Sequence, residues 1–565
     1  MKQLRWQITI VILALIAIAV LLFSQKPLAE TIAESPEPVA GGAYTEALLG
    51  GFSRFNPVLD FYNPADRDVD RLIFSGLLRF DDKGMAQSDL AESWGISRDG
   101  TVYNFSLQPN AHWHDGEPVT ADDVVFTVEL LRSPDLPIPE DLQNMWADIE
   151  VEALDAHTLQ FRLPEPFAPF LDYLTFGVLP AHLLADVPPA DLIDAPFNLA
   201  PVGSGPYRFQ SMIVENGQIA GAALTAFDGY YGGRPFIDEF NFRYYPDEDA
   251  ALAAYRDGEV MGISQITPRA FAESPPEEGM NLYTGRLPKM AIIFLNLDNS
   301  NVPFFQETEI RRALLMGVNR QRLIDRVLDG QAVIADGPIL PNTWAYYDGM
   351  PRVPYDPEAA VKTIKEAGYT FPAGGGTVRE NEDGVALTFT LIHPETPEHT
   401  DLAQRIQSDW AELGVDVKLK AVPYEDLIED YLTPRLYEAA LVDLSFSRTP
   451  DPDPYPFWHQ TQAASGQNYA MWNDRQASEY LEQARIIVDP AERARLYRNF
   501  QVRFSSELPS LPLYYPMYTY AVSSQVQGVR MGPLFDTSDR FATVTSWYLF
   551  SEIGAGEQMQ GETEK

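Results

Sequence analysis

Residues 385–421 read VALTFTLIHPETPEHTDLAQRIQSDWAELGVDVKLKA, and this stretch predicts the fold class more directly than any other. Residues 385–392 are typical of a strand, and residues 401–413 are typical of a helix that Gly414 ends. In residues 415–421 apolar and charged side chains alternate, which indicates a second strand. Two strands joined by a crossover helix of this length are parallel neighbours with a right-handed connection. The stretch therefore predicts an α/β unit in the second half of the chain.

Local signals elsewhere predict a mixture of strands and helices. Alternating side chains at residues 158–163 indicate a half-buried strand. Thr120 followed by Asp123 is a capping box that opens a helix, and Asp356 is the N-cap of another. Apolar residues between 310 and 328 share one helical face, which predicts a single helix there.

Composition excludes several classes of protein. The chain has 565 residues, so two or three packed units are expected, and its 45% hydrophobic content is ample for large cores. Its formal net charge of −40, without a concentrated basic patch, would be repelled by phosphate backbones, so nucleic acid is not an expected partner. The absence of cysteine excludes disulfides, thiolate nucleophiles, cysteine-bound metals and a lipid-modified cysteine.

The N-terminus predicts export. Lys2 and Arg5 precede an uncharged apolar run at residues 8–23, which is the pattern of a signal sequence. Residues 1–29 are therefore either a cleaved signal peptide or an uncleaved signal-anchor helix, and both place the body outside the cytoplasm; a buried core helix is the alternative. Residues 30–42 are rich in Pro, Glu and Ala and indicate a flexible spacer, and residues 551–565 are expected to be a disordered acidic tail.

Motifs for catalysis or metal binding are largely missing from the sequence. No phosphate-binding loop, dinucleotide fingerprint, zinc-protease helix, EF-hand or nucleophile elbow occurs. His112 and His114 beside Asp115 are a conceivable metal site, but no second pair of ligands accompanies them. A structural turn at Asp115-Gly116 is the preferred interpretation. No cofactor and no metal are expected.

Asp451 and Asp453 form a second constellation, in the sequence DPDP beside several aromatic residues. Two carboxylates close to rings are compatible with a glycan-acting enzyme. A proline-locked loop whose acids accept backbone N–H groups, or a loop that binds the charge of a ligand, fits these residue types better. The residue types alone leave these three interpretations open.

An ordered series of blocks resembles the family-5 solute-binding proteins, which are the oligopeptide, dipeptide and nickel receptors of ABC importers. The block HWHDGEPVTADDV at 112–124 is similar to the family signature nearly residue for residue. The other matching blocks are LAESW at 90–94, GSGPY at 203–207, FIDEF at 236–240, AALAAYRDGE at 250–259 and LPSLP at 508–512. The resemblance covers roughly residues 40–530 in the expected order.

The resemblance implies a two-lobed α/β fold of the periplasmic-binding-protein type (type II), with mixed sheets and a hinge. Lobe I would comprise residues 43–292 and 505–550, and lobe II residues 293–504. The chain would cross between the lobes near residues 292–296 and 506–514. The matching blocks themselves would be mainly scaffold of the family.

The resemblance also implies which residues face the cleft. The opening strand would contribute Glu46, its expected polar contact, and Phe52. The cleft loop and its flank would contribute Phe446, Ser447, Arg448, Asp451, Asp453 and Trp458. The acid that receives a peptide's ammonium group in peptide-binding members would fall at Arg448 or Pro450, so Asp451 or Asp453 would have to replace it, or Arg448 would favour an anionic group.

The function that the resemblance implies is capture, without catalysis, of a solute that is delivered to a membrane permease. The receptor would be monomeric, and the ATP sites would lie in other subunits. A peptide is the expected solute. An oligosaccharide is the alternative, since Trp344, Tyr455 and Trp458 could stack on sugar rings. A sensing receptor and a glycan-acting enzyme are the other classes considered.

Overall fold

The computed structural model describes residues 38–81, 83–267, 270, 279–341, 343–447, 451–532 and 534–550. The chain divides into two units, Met1–Ala40 and Gly41–Lys565, and every element described below belongs to the second. The predicted signal segment, most of the predicted spacer and the predicted acidic tail lie outside the described residues. Within the described ranges, no helix is long and apolar enough to cross a membrane.

Strands occur along the whole second unit. Their bounds are β1 Ala43–Leu49, β2 Leu78–Phe80, β3 Ala86–Ser88, β4 Ala91–Ile96, β5 Val102–Leu107, β6 Glu150–Asp155, β7 Thr158–Arg162, β8 Tyr207–Glu215, β9 Gln218–Ala226, β10 Glu239–Tyr245, β11 Gly262–Ile263, β12 Met280–Arg286, β13 Lys289–Leu295, β14 Ala332–Ile334, β15 Thr388–Pro394, β16 Asp416–Val422, β17 Ala439–Ser445, β18 Ser510–Ser523, β19 Val526–Gln527 and β20 Tyr548–Leu549.

Helices alternate with these strands. The α-helices are α1 Pro64–Ile73, α2 Ala121–Arg132, α3 Glu140–Ala147, α4 Ala181–Leu184, α5 Glu248–Arg256, α6 Thr308–Gly317, α7 Arg320–Val327, α8 Pro357–Glu366, α9 Pro397–Glu412, α10 Tyr424–Asp426, α11 Tyr455–Trp458, α12 Gln462–Ser465, α13 Arg475–Ile486 and α14 Pro490–Glu507. Short 3₁₀ segments are Ala168–Leu174, Pro189–Asp194, Pro196–Leu199, Pro303–Gln306, Thr537–Phe541 and Val544–Ser546, and a π-helical turn follows α10 at Leu427–Leu432.

One long mixed sheet runs through the unit in the order β16-β15-β17-β13-β18-β11-β1-β10-β9-β8. The long strand β18 links its two halves. Its first residues pair with β13 and β14, and its later residues pair with β11 and β12. Away from this sheet, β4, β5, β7 and β6 form a separate antiparallel sheet.

The unit predicted at residues 385–421 is present. Strands β15 and β16 are parallel and pair from Thr388 with Asp416 to Pro394 with Val422, and α9 connects them. The capping box at Thr120 and Asp123 opens α2, and the Asp356 side chain caps α8. These three predictions are confirmed, because each depends on contacts between residues close in sequence.

The single helix predicted across residues 310–328 is wrong. The structure has two helices, α6 and α7, separated at Val318 and Asn319. The side chain of Asn319 accepts the N–H of Arg322 and thereby caps α7, while the Asn319 N–H donates to Asp409 of α9. The helical face continues through the break, which explains why the apolar pattern alone suggested one helix.

The described residues form separate hydrophobic cores, each of which includes residues of strand β18. The largest draws on residues 44–242 and on the return segment 518–547. Two further cores draw only on residues 290–515. A smaller cluster groups residues 47, 251–270 and 521. Burial in this unit is therefore organised in parts that share strand β18.

Two of the sequence blocks hold the C-terminal end of α1 in place. The His114 ring donates from Nε2 to the Gly205 carbonyl (3.0 Å) and accepts the Gly203 N–H at Nδ1 (3.2 Å). The Gly205 N–H in turn donates to the carbonyl of Ile73, the last residue of α1. A Cβ on Gly203 would overlap that same carbonyl, so glycine is required for this close approach. The two blocks thus position α1, which lines the candidate site.

Candidate functional site

A cavity of about 1060 Å³ opens between two walls of the second unit. We call the lining residues within 57–80, 131–177 and 535–539 the first wall, and the lining residues within 433–447 and 451–485 the second wall. The first wall belongs to the part that surrounds the largest core, and the second wall to the part built on residues 290–515. The volume is at the upper end of the usual range for small-molecule sites, about 300–1000 Å³. The cavity therefore has room for a ligand larger than a single amino acid.

Asp451 on the second wall is buried in an ion pair. Its carboxylate contacts the Arg493 guanidinium at 2.5 Å, and these two side chains are only 5% and 6% exposed. Tyr497 donates its hydroxyl to the same carboxylate at 3.2 Å. Burial raises the pKa of Asp451, and Arg493 offsets part of that rise. The Asp451 N–H donates to the carboxylate of Asp172, which joins the second wall to the first.

Asp453 has a different arginine partner. Arg485 binds its carboxylate with three N–H···O contacts between 2.7 and 3.1 Å. The guanidinium of Arg485 also lies over the ring of Tyr455 at 4.1 Å and faces the ring of Phe167 on the first wall at 5.4 Å. Charge and stacking hold Arg485 in this orientation. Neither Asp451 nor Asp453 is left as an unpaired acceptor for a ligand's cationic group.

On the first wall, α1 faces the return segment through ion pairs. Arg67 contacts Asp536 at 2.9 Å, and Arg71 contacts Asp539 at 3.5 Å. Asp70, one turn before the end of α1, is 2% exposed, and its Oδ2 accepts the Asn56 N–H at 3.0 Å. Burial raises its pKa well above the usual range, and the neighbouring Asp60 carboxylate adds to that rise.

The structure places four of the eight predicted ligand residues on the cavity wall. Phe446, Ser447, Asp451 and Asp453 line it. Phe446 packs edge-on against Phe457, with 5.9 Å between the ring centroids. Arg448 lies outside the described residues. The cleft loop implied by the resemblance is thus at the cavity.

Glu46 does not line the cavity. It is fully buried, and its Oε1 accepts two N–H groups of Arg540 at 2.7 and 3.0 Å. Its Oε2 accepts the hydroxyls of Tyr520 (2.6 Å) and Tyr44 (2.8 Å). Arg540 also binds Asp68 of α1 through two contacts of 2.7 and 2.8 Å. This geometry gives Glu46 a structural role between β1, β18 and α1 in place of the ligand contact that the sequence suggested.

Four other aromatic residues that were predicted to touch a ligand are packed against neighbouring rings. Phe52 packs against Phe55, and Trp458 is buried beside Phe294 and Phe504. Of the rings considered for stacking on sugars, Trp344 packs against Tyr497 and Tyr455 stacks on His459. None of these four predicted residues lines the cavity. Their apolar surface is already used within the protein.

The histidines of the HWHDG block do not form a metal site. Both nitrogens of His114 bind the backbone of the GSGPY block, and burial lowers the pKa of its ring to about 4. His112 contacts the Asn110 carbonyl, and Asp115 contacts His182 at 2.8 Å. Among the residues that the structure describes, no group of three or more His, Asp or Glu side chains is arranged to hold a metal ion.

Sequence reasoning missed the charged residues of the first wall. Asp70, Asp172 and the two arginines of α1 line the cavity, but none lies in a recognised block. A signal was present in residues 64–73, PADRDVDRLI, where charged residues crowd a helix that also carries buried apolar positions. For Asp172, in the apolar stretch APFLDYL, the only signal is an isolated acid in a buried segment.

Comparison with known proteins finds a matching family and similar sequences over most of the chain. Residues 86–467 match the model of the bacterial extracellular solute-binding proteins, family 5. The oligopeptide-binding protein AppA of Bacillus subtilis (strain 168) is 26% identical over 524 residues, which cover 91% of this chain and 92% of that protein. The dipeptide-binding protein of Escherichia coli (strain K12) is 28% identical over 469 residues, covering 79% of this chain and 84% of that protein.

A solved structure extends the likeness to three dimensions. The Bacillus subtilis AppA structure, in complex with a nonapeptide, is 25% identical, covers 91% of this chain and 100% of its own, and superposes with a TM-score of 0.67. The periplasmic-binding-protein fold predicted from the resemblance is thereby confirmed. Since the family model spans more than half of the sequence, the chain belongs to the bacterial extracellular solute-binding proteins of family 5.

Proposed function

We propose that the chain is the solute-binding component of an ABC importer and that its solute is a short peptide. The observation that carries the proposal is the cavity of about 1060 Å³ whose two walls belong to separately packed parts of the protein. Sites of this kind bury most of a ligand's surface and fix its orientation with a few polar groups. The peptide-binding names of the AppA and dipeptide-binding relatives support a peptide over other solutes. Binding without catalysis is part of the proposal.

The proposed working parts are two lobes. Lobe I comprises residues 43–292 and 505–550, and lobe II comprises residues 293–504. The separate cores support a division close to these boundaries, since the largest core draws on residues 44–242 and 518–547 and two others draw on residues 290–515. Strands β13 and β18, which pair with each other, are the proposed hinge, and β18 contributes buried residues to the cores of both parts.

The proposed mechanism is closure around the solute. A solute that contacts both walls binds the closed arrangement better than the open one, and it shifts the population toward closure by that difference in affinity. The contact between the Asp451 N–H and Asp172 is a direct link between the walls that closure would form. The closed receptor would then dock on the permease, as a monomer held outside the cytoplasm by its N-terminal signal or anchor segment.

Thermal unfolding with pooled ligands tests the proposal. The purified full-length chain in mild detergent is heated with pools of random peptides, with oligosaccharides, or with nickel and histidine. A ligand of the folded state stabilises by about 2.7 kcal/mol at a hundred-fold excess over its Kd. A shift with the peptide pools alone is expected. A shift with sugars or nickel alone would refute the proposal that the solute is a peptide. Hydrolysis of an added oligosaccharide would refute the proposal that the protein binds without catalysis.

A further inference from the structure

Several charged side chains of the cavity are neutralised by ion pairs. Four carboxylates have arginine partners: Asp451 with Arg493, Asp453 with Arg485, Asp536 with Arg67 and Asp539 with Arg71. Arginine–carboxylate pairs of this kind are saturated and leave little charge for a ligand. The charge that a solute must carry to complement the cavity is therefore set by the carboxylates that have no arginine partner.

Two buried carboxylates of the first wall have no ion pair with any described residue. They are Asp172, which is 8% exposed, and Asp70, which is 2% exposed. Oδ2 of Asp172 accepts the Asp451 N–H. Oδ1 of Asp70 is buried without a hydrogen-bond partner among the described residues. A buried carboxylate without a cation is costly, because the charged form has lost its water.

Asp172 is the better placed of the two to meet a ligand. It retains some exposed surface at the cavity, whereas the unpaired oxygen of Asp70 has essentially none. It also lies where the walls meet, since its Oδ2 binds the second wall. Burial raises the pKa of Asp172 well above the usual range and the nearby Asp451 carboxylate raises it further, while the Asp451 N–H and the Arg493 guanidinium offset part of that rise.

We propose that Asp172 binds a primary ammonium group of the solute and that this contact, on the first wall, selects peptides that carry a free ammonium group. The inference rests on the proposed function. The ammonium would supply the missing cation at one oxygen while the other keeps the Asp451 N–H, so one side chain would bind the solute and hold the walls together. The ammonium comes either from a peptide N-terminus or from a lysine side chain.

Equilibrium dialysis against matched peptide pools, read by mass spectrometry, tests this inference. The first pool holds random tetrapeptides without lysine or arginine and with a free amino terminus. The second is the same pool N-acetylated, and the third is N-acetylated but carries one lysine. The wild-type chain is expected to enrich at least one ammonium-bearing pool about 10- to 100-fold over the second. The pool that is enriched identifies the source of the ammonium.

The variants then assign the preference to a residue. Asp172→Asn keeps an acceptor for the Asp451 N–H but removes the charge, and it is expected to lose most of the preference. Asp172→Glu, which keeps the charge, is expected to retain part of it. Glu129→Gln changes an exposed acid of α2 that does not line the cavity and should leave the preference unchanged. If Asp172→Asn fails to fold, Asp172→Ser replaces it.

The outcomes separate this inference from the proposed function. Equal enrichment of free and acetylated peptides by the wild type would overturn the role of Asp172 and leave the peptide receptor intact. A preference that survives Asp172→Asn, or that is lost only in Asp70→Asn, would also overturn it. Enrichment of no pool at all would refute the peptide function itself.

Discussion

Substituting Glu46 by Gln should lower the stability of the protein and leave its affinity for peptide unchanged. The carboxylate of Glu46 receives four hydrogen bonds, two from Arg540 and one each from Tyr44 and Tyr520, all between 2.6 and 3.0 Å. An amide in its place keeps the shape of the side chain but removes the charge. The substitution therefore isolates the electrostatic part of this buried network.

The magnitude follows from the type of bond that is lost. Each bond would fall from the charge-assisted class, about 1.5–3 kcal/mol, to the neutral class, about 0.5–1.5 kcal/mol. The four bonds share one carboxylate and are not additive, and Arg540 keeps its two contacts to Asp68. The expected loss in the free energy of unfolding is about 2–4 kcal/mol. This range overlaps the cost of removing one partner of a buried ion pair, which is about 3–5 kcal/mol.

Urea unfolding followed by tryptophan fluorescence measures this loss, since Trp547 stacks on Tyr520 beside the network. Glu239→Gln is the matched control, because Glu239 is exposed on β10, the strand that pairs with β1, and should change stability by no more than about 0.5 kcal/mol. The reasoning is refuted if Glu46→Gln unfolds like the wild type, or if it weakens peptide binding tenfold at unchanged stability. The latter result would restore Glu46 as a ligand contact.

Three further predictions concern the scaffold. Arg493→Met should cost about 3–5 kcal/mol in urea unfolding, because it leaves Asp451 buried without its cation, and adding Asp451→Asn should recover most of the loss. Lowering the pH should remove about 2–3 kcal/mol of the free energy of unfolding, which the neutral ring of His114 contributes. The pKa of this ring is about 4 in the folded protein and about 6.5 in the unfolded chain. The contribution is therefore present above pH 6.5 and is lost as the pH falls toward 4. His114→Gln should flatten that part of the pH–stability profile, and an unchanged slope would contradict the assignment. Gly203→Ala should lower the free energy of unfolding by about 1–3 kcal/mol or more, seen as a lower thermal midpoint, because the new Cβ would overlap the Ile73 carbonyl. Gly217→Ala is the control: Gly217 lies at a turn with open space around it, so this variant measures the cost of backbone strain alone.

The parts of the fold predicted correctly from sequence are those set by neighbours along the chain. The capping box at Thr120 and the crossover at residues 385–421 both formed as expected, because their partners lie within a few turns of helix or one connection. The break at Asn319 was missed although a capping residue was present, because the apolar face continues through it. Periodicity reports which face is buried and does not report where a helix is interrupted.

The candidate site was harder to predict because its charges are paired over long distances in sequence. Glu46 was predicted as a polar ligand contact, but its carboxylate binds Arg540, which lies 494 residues away in the sequence. Asp453 likewise depends on Arg485, 32 residues further along. The resemblance pointed to a loop whose residues Phe446, Ser447, Asp451 and Asp453 line the cavity, but which acids of that loop stay available for a ligand is a property of the folded packing.

The central claim is that a peptide binds between the two walls of the cavity, and a crystal structure of the chain incubated with the free-amine tetrapeptide pool tests it most directly. The account predicts electron density for a peptide backbone that contacts Phe446 or Ser447 on the second wall, with an ammonium group against Asp172 on the first. Density for a non-peptide solute in the cavity, or a peptide bound only elsewhere on the surface, would contradict it.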